Sequence, residues 1–258
     1  MNTPHPRIGC VPYLNARPLL DGLEGLTPSV RKLVPAKLHD AYQAGELDAA
    51  LLSSIDVIGM ENPEVVDGVS ISSRGDVHSV VMAYRGELRS VAKVALDPSS
   101  HTSNALLRIV LEEFHGLHPE YVRYSDEYPK KYAQLMIGDP AILFRKEALG
   151  SDVRFLDLGG EWFRQTSLPF VFALWSLKRD FTKKKELSEG LRNAKYRGLV
   201  HRPSIAALDP DPEFALHYLT ELIHYDLAEE EKRGLMLFRE SLGKMKLGPD
   251  KEIKITYY

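Results

Sequence analysis

Short apolar runs separated by helical patterns fill most of the first 177 residues, and this alternation narrows the possible folds more than any other feature. Arg7–Val11 (RIGCV) reads as a strand stopped by Pro12. A short helix follows from about Pro18, since proline suits a helix's first turn. Ser29–Val34 alternates like a second strand, Leu38–Ala44 gives a helical turn or two ended by Gly45, and Asp48–Leu52 is a third strand. This β-α-β-α-β rhythm favours a mainly parallel sheet in an α/β protein.

Further along, Val77–Tyr84 and Val91–Leu96 read as strands. A helix over Asn104–Phe114 then carries Leu106, Leu107, Val110, Leu111 and Phe114 on one stripe. Strands Gln134–Ile137 and Val153–Leu156 flank a helix running to Ala148, and Pro169–Leu177 is the most hydrophobic strand. After residue 180 the pattern is helical, with a helix over Glu213–Ile223. Asp226 and Glu229 form a D-x-x-E capping signal for a last helix striped by Leu235, Phe238, Leu242 and Met245. The two long strands Val77–Tyr84 and Pro169–Leu177 bracket a middle section with its own β-α-β content. That suits two lobes, the second (87–177) inserted into the first (1–86 and 178–258), with a ligand cleft between them.

Composition removes several alternatives. The 258 residues are 44% hydrophobic and 27% charged, which excludes a disordered or collagen-like chain. One cysteine forms no internal disulfide, and Cys10 inside an apolar strand reads as a buried small hydrophobe. The longest uncharged stretch, Gln165–Leu177, has 13 residues against the roughly 20 of a spanning helix, so no membrane association is expected. The N-terminal residues show no basic region followed by an apolar one, and the expected location is cytoplasmic. A formal charge of −3 argues against a nucleic-acid partner.

No nucleophile elbow, phosphate loop, dinucleotide fingerprint or zinc-protease motif is present, and His115 and His118 lack a helical ligand face, so no metal site is expected. Three polar clusters remain. Val11–Pro18 holds Tyr13 and Asn15 just past the first strand, where Asn15 reads either as a helix cap or as a paired donor and acceptor at a sheet edge. Asp97–Asn104 places Ser99, Ser100, Thr102 and Ser103 beside His101 directly before a helix. One hydroxyl is an ordinary cap; four suit a carboxylate or phosphate cradle at a helix N-terminus. Ile137–Pro140 follows a buried strand, with Gly138 beside Asp139, which reads as a cap or as a carboxylate facing the cleft.

Together these clusters make the chain resemble the chorismate dehydratase family of the futalosine-dependent menaquinone pathway. The resemblance runs through IGCVPYLNARPL (Ile8–Leu19), AGELDAALL (Ala44–Leu52), SRGDVHSVVM (Ser73–Met82), VALDPSSHTSNALL (Val94–Leu107), IGDPAILF (Ile137–Phe144), DLGGEWFRQTSLPFVFALW (Asp157–Trp175) and YDLAEEEKRGLMLF (Tyr225–Phe238). Ser167 departs from the pattern, which has glycine there.

The resemblance implies a type II periplasmic-binding-protein-like fold and the removal of water from chorismate, a dianion, to give 3-[(1-carboxyvinyl)oxy]benzoate, with no cofactor. In that role Ser100, His101, Thr102, Ser103 and Asn104 would hold one carboxylate, and Ser79 the other side of the ligand. Asn15 would act on the leaving hydroxyl, and Tyr13 and Gly138 would complete the substrate contacts. The proton acceptor is either Asp139, with His101 a poorer candidate, or the substrate's own enolpyruvyl carboxylate. Rival readings on the same scaffold are a non-catalytic solute-binding protein, the sister 1,4-dihydroxy-6-naphthoate synthase and an enzyme making a pyrimidine precursor. Monomer and homodimer both remain open.

Overall fold

The computed structural model describes residues 5–124, 132–248 and 253–258. Eleven strands are named: β1 (Ile8–Cys10), β2 (Val30–Lys32), β3 (Ala49–Ser53), β4 (Glu64–Ser73), β5 (Val80–Arg85) and β6 (Lys93–Leu96). They continue with β7 (Glu120–Arg123), β8 (Ala133–Ile137), β9 (Val153–Asp157), β10 (Phe170–Leu177) and β11 (Thr256–Tyr257). The helices are α1 (Arg17–Leu20), α2 (Pro35–Gln43), α3 (Ser54–Ile58), α4 (His101–Arg108) and α5 (Gly138–Glu147). After them come α6 (Leu158–Thr166), α7 (Lys184–Val200), α8 (Arg202–Ala206), α9 (Pro212–His217) and α10 (Glu229–Lys244).

The strands form two sheets, in the orders β11-β4-β10-β3-β1-β2 and β7-β6-β8-β5-β9. Both are mixed, and within the first sheet β1 pairs in parallel with β2 and with β3, as the opening β-α-β-α-β rhythm leads one to expect. β10 runs antiparallel to β3 and β4, and β5 antiparallel to β8 and β9, while the remaining pairs are parallel. Hydrogen-bonded pairing also moves the two long strands. The expected boundaries assign Val80–Arg85 to the first lobe and Phe170–Leu177 to the second, yet β5 lies in the second sheet and β10 near the centre of the first. Burial alone cannot assign a strand to one sheet or the other, since β5 and β10 are apolar in both arrangements.

The chain therefore passes between sheets at 74–79 and again at 158–169, and the two passages lie side by side. Asp157 ties them together. Its carboxylate accepts hydrogen bonds from Val77 N at 3.0 Å, His78 N at 2.7 Å and Gly160 N at 3.1 Å, the last as the cap of α6. A Cβ at residue 159 would lie 2.9 Å from the backbone oxygen of Gly75 as well as 2.6 Å from Ser73 Oγ, so this approach favours glycine.

Several local readings are revised. α4 begins at His101, three residues before the expected Asn104, with Ser100 as its cap. α10 is not capped by Asp226, which pairs with the buried Lys195 at 2.7 Å; instead Glu231 accepts from Ala228 N at 3.0 Å. Cys10 is fully buried, and burial pushes its thiol up to about 12, in keeping with a packing role.

Ser167 ends α6 at φ 57°, a left-handed conformation that favours glycine. The glycine of the family pattern at this position thus has a backbone cause. Ser167→Gly should raise stability by about 1 kcal/mol. The check is the midpoint of urea unfolding; an unchanged or lower midpoint would show that the turn carries no such strain.

Candidate functional site

The two sheets face each other across a cavity of about 60 Å³. Its wall comes from both: Val11, Tyr13, Asn15 and Ser53 from the ends of β1 and β3, and Ser79, Ser100, Thr102, Ser103 and Gly138 from the second sheet and its helices. Each polar group reaches the wall because a strand ends there and a helix or turn begins. No Lys, Arg, Asp, Glu or His lines it, so its polarity comes from hydroxyls, one amide and helix ends.

Asn15 does not cap α1, whose cap position is Ala16 and receives no side-chain hydrogen bond. Its Oδ1 is buried without a hydrogen-bond partner. Its backbone carbonyl accepts from the Tyr225 hydroxyl at 2.9 Å, which fixes the residue independently of its side chain. At α4, Ser100 Oγ accepts from Ser103 N at 3.2 Å and donates to Ser103 Oγ at 2.9 Å. Thr102 Oγ1 accepts from Ile55 N at 3.0 Å, a bond from one sheet's helices to the other's.

Gly138 opens α5 with φ 64°, and a Cβ there would lie 2.8 Å from the Tyr13 ring. The ring therefore packs directly on α5's first turn, and Gly138 N donates to Ser79 O at 2.7 Å. Ser79 Oγ accepts from the buried Tyr218 hydroxyl at 2.7 Å.

Three expected site residues do not line the cavity. His101 turns to Asp56, its Nδ1 3.1 Å from Oδ1, because the first residue of α4 faces α3 rather than the cleft. Asn104 accepts from Asp97 N at 3.1 Å and donates to Asp97 O at 2.8 Å, closing the loop before the helix. Asp139 Oδ1 accepts from Leu14 N at 2.9 Å across the cleft, and burial raises its carboxyl above the usual carboxylate range. Tyr218 and Ser53 had no sequence signal. Tyr218 sits 139 residues from its partner Ser79, in a helical stretch where a tyrosine reads as core.

Among the described residues, no group of three or more His, Cys, Asp or Glu could hold a metal ion. No helix among them is long and apolar enough to cross a membrane.

This arrangement of sheets is known elsewhere. A Candida albicans gene product described as having the generic periplasmic binding protein structural fold superposes with TM-score 0.67 at 12% identity, covering 97% of this chain and 92% of that one. The chorismate dehydratase of Thermus thermophilus is 31% identical, covering 92% of this chain and 94% of the relative. That of Campylobacter jejuni is 27% identical, over 88% of each. The family model described as menaquinone biosynthesis matches residues 6–244, so the chain belongs to the menaquinone biosynthesis family and has the periplasmic-binding-protein-like fold.

Proposed function

We propose that this chain is a chorismate dehydratase, a hydro-lyase converting chorismate to 3-[(1-carboxyvinyl)oxy]benzoate. The observation that carries the reading is the convergence of Asn15, Ser79, Ser100, Thr102 and Ser103 on one cavity between the sheets, in a chain that aligns over 92% and 88% of its length with two chorismate dehydratases. The lobes follow sheet membership, with strands β5–β9 in one and β1–β4, β10 and β11 in the other.

The reaction breaks a ring C–H bond on the carbon bearing the ether and the neighbouring C–OH bond, and the ring becomes aromatic. The proton goes to a base and hydroxide leaves; together they form water. The α4 hydroxyls and helix N-terminus hold one carboxylate. Ser79 and Asn15 meet the departing oxygen, where a fixed donor stabilises developing charge. Holding the enolpyruvyl arm out of line with the ring also suppresses the competing pericyclic rearrangement.

With no carboxylate or imidazole in the cavity wall and Asp139 engaged by Leu14 N, the proton acceptor is the substrate's own enolpyruvyl carboxylate. A cavity of about 60 Å³ is well below the roughly 300 Å³ at which small-molecule sites begin, so the lobes part to admit substrate.

The test is to incubate purified protein with chorismate and follow the aromatic product by chromatography and mass; no product from folded protein would sink the reading. In the same assay Asp139→Asn keeps an acceptor for Leu14 N and should retain turnover within about fivefold. Loss beyond about a hundredfold, with KM and melting temperature retained, would make Asp139 the base.

A further inference from the structure

The turn into α3 reads Ser53-Ser54-Ile55-Asp56, with Ser53 at the cap position. In an ordinary cap the serine oxygen accepts from a backbone N–H of the first turn. Ser53 makes no such bond. Its hydroxyl instead donates to Asp56 Oδ2 at 2.6 Å, and both residues are buried. The other carboxylate oxygen lies 3.1 Å from His101 Nδ1 on α4, so Asp56 is held from the opposite lobe. A carboxylate only accepts, so its partner settles the direction of the Ser53 bond.

Ser53 also lines the cavity between the sheets. Ser79, Thr102 and Ser103 line it too, and each accepts one hydrogen bond, from the Tyr218 hydroxyl, Ile55 N and Ser100 Oγ respectively. Each of the three keeps a proton to give. Ser100 gives its proton to Ser103 Oγ and accepts from Ser103 N. The Asn15 amide carries donor and acceptor together. Among the described residues, Ser53 is thus the wall hydroxyl that has given its proton and accepted none.

We infer that Ser53 is the acceptor for the ring hydroxyl of chorismate, and that Asp56 is the positioning residue that makes it one. The identity of the ligand rests on the dehydratase reading; the polarity of Ser53 does not. The chorismate dianion has acceptors on both carboxylates, the ether and the hydroxyl, but one donor, the hydroxyl that leaves. An oxygen that cannot donate disfavours every other polar group of the substrate and takes that one. Holding the O–H toward Ser53 turns the lone pairs of the departing oxygen toward the donors of the wall. The product has lost the donor, so the same oxygen separates substrate from product.

The product serves as a probe that carries both carboxylates and no hydroxyl. Ser53→Ala should lower kcat/KM for chorismate about 10- to 100-fold, while the inhibition constant of the product stays within about twofold. Asp56→Asn offers a donor beside Ser53 and should lower kcat/KM about 10-fold, again without weakening the product. Residues that merely hold α3 against α4 would weaken both ligands together. Parallel loss for both ligands overturns the proposal, and so does unchanged kcat/KM in Ser53→Ala. The ligand-free wild type supplies a second readout: the Ser53 hydroxyl proton should give a slowly exchanging proton NMR resonance that is absent from Ser53→Ala. Fast exchange of that proton with water overturns its commitment to Asp56 without any variant. Should the wild type fail to convert chorismate at all, the dehydratase reading falls while this resonance still decides the polarity of Ser53.

Discussion

Asn15→Ala is expected to lower chorismate turnover by about 10²- to 10³-fold, the usual cost of deleting one fixed group at a centre of developing charge. Its melting temperature should move by no more than a few degrees. The asymmetry follows from what the side chain does in the fold. It caps no helix, and its Oδ1 has no hydrogen-bond partner. The backbone at residue 15 is held by the Tyr225 hydroxyl whatever the side chain is. Removing the amide relieves a buried, unpaired acceptor, a term of about 1 kcal/mol that does not penalise the fold. Thermal melting and steady-state kinetics on the same preparation check this. A large drop in melting temperature with normal specific activity would return Asn15 to a structural role.

Gly138→Val should be damaging in a different way, lowering stability by about 2–4 kcal/mol and abolishing turnover. A β-branched residue at φ 64° is strained before any contact is considered. Its Cβ would then stand 2.8–3.0 Å from three atoms of the Tyr13 ring. The ring cannot back away without opening the cavity, because Tyr13 and Gly138 belong to opposite sheets' elements. Ser79 is also disturbed, since its carbonyl receives the Gly138 N–H. Urea unfolding and the chorismate assay read the two effects. Full activity with an unchanged midpoint would mean that the Tyr13 contact on α5 is dispensable.

Strands were read from the sequence where apolar runs were short and bounded by proline, glycine or charge. Ile8–Cys10, Ala49–Ser53 and Val153–Asp157 lie within one or two residues of expectation. Glu64–Ser73 has no strand signal in the sequence, although it is the longest strand among the described residues. Gly68 at φ 74° and a run of serines break its alternation; Ser70 and Ser72 are buried with their hydroxyls donating to the carbonyls of Asp226 and His224, and Ser73 is buried with its hydroxyl unpartnered. Sheet membership was out of reach for a simpler reason: β5 and β10 bury apolar faces whichever sheet they join. At the site, residues next to strand ends were found because strand ends are where cavities form. Direction within a cluster was not, since His101 and Thr102 are neighbours in one helix turn that face Asp56 and the cavity respectively. Tyr218 lay beyond local reasoning because its meaning comes only from Ser79, far away in sequence.

The double passage between sheets has a consequence for the order in which the protein is built. The second sheet is drawn from residues 80–157 alone and can close as soon as that stretch leaves the ribosome. In the first sheet, β10 stands between β4 and β3, so the early strands and β4 have no common partner until residues 170–177 emerge. Contacts between such distant segments form slowly. The first sheet, interrupted in sequence, is therefore expected to complete later, leaving the edges of β3 and β4 that face β10 unpaired until then.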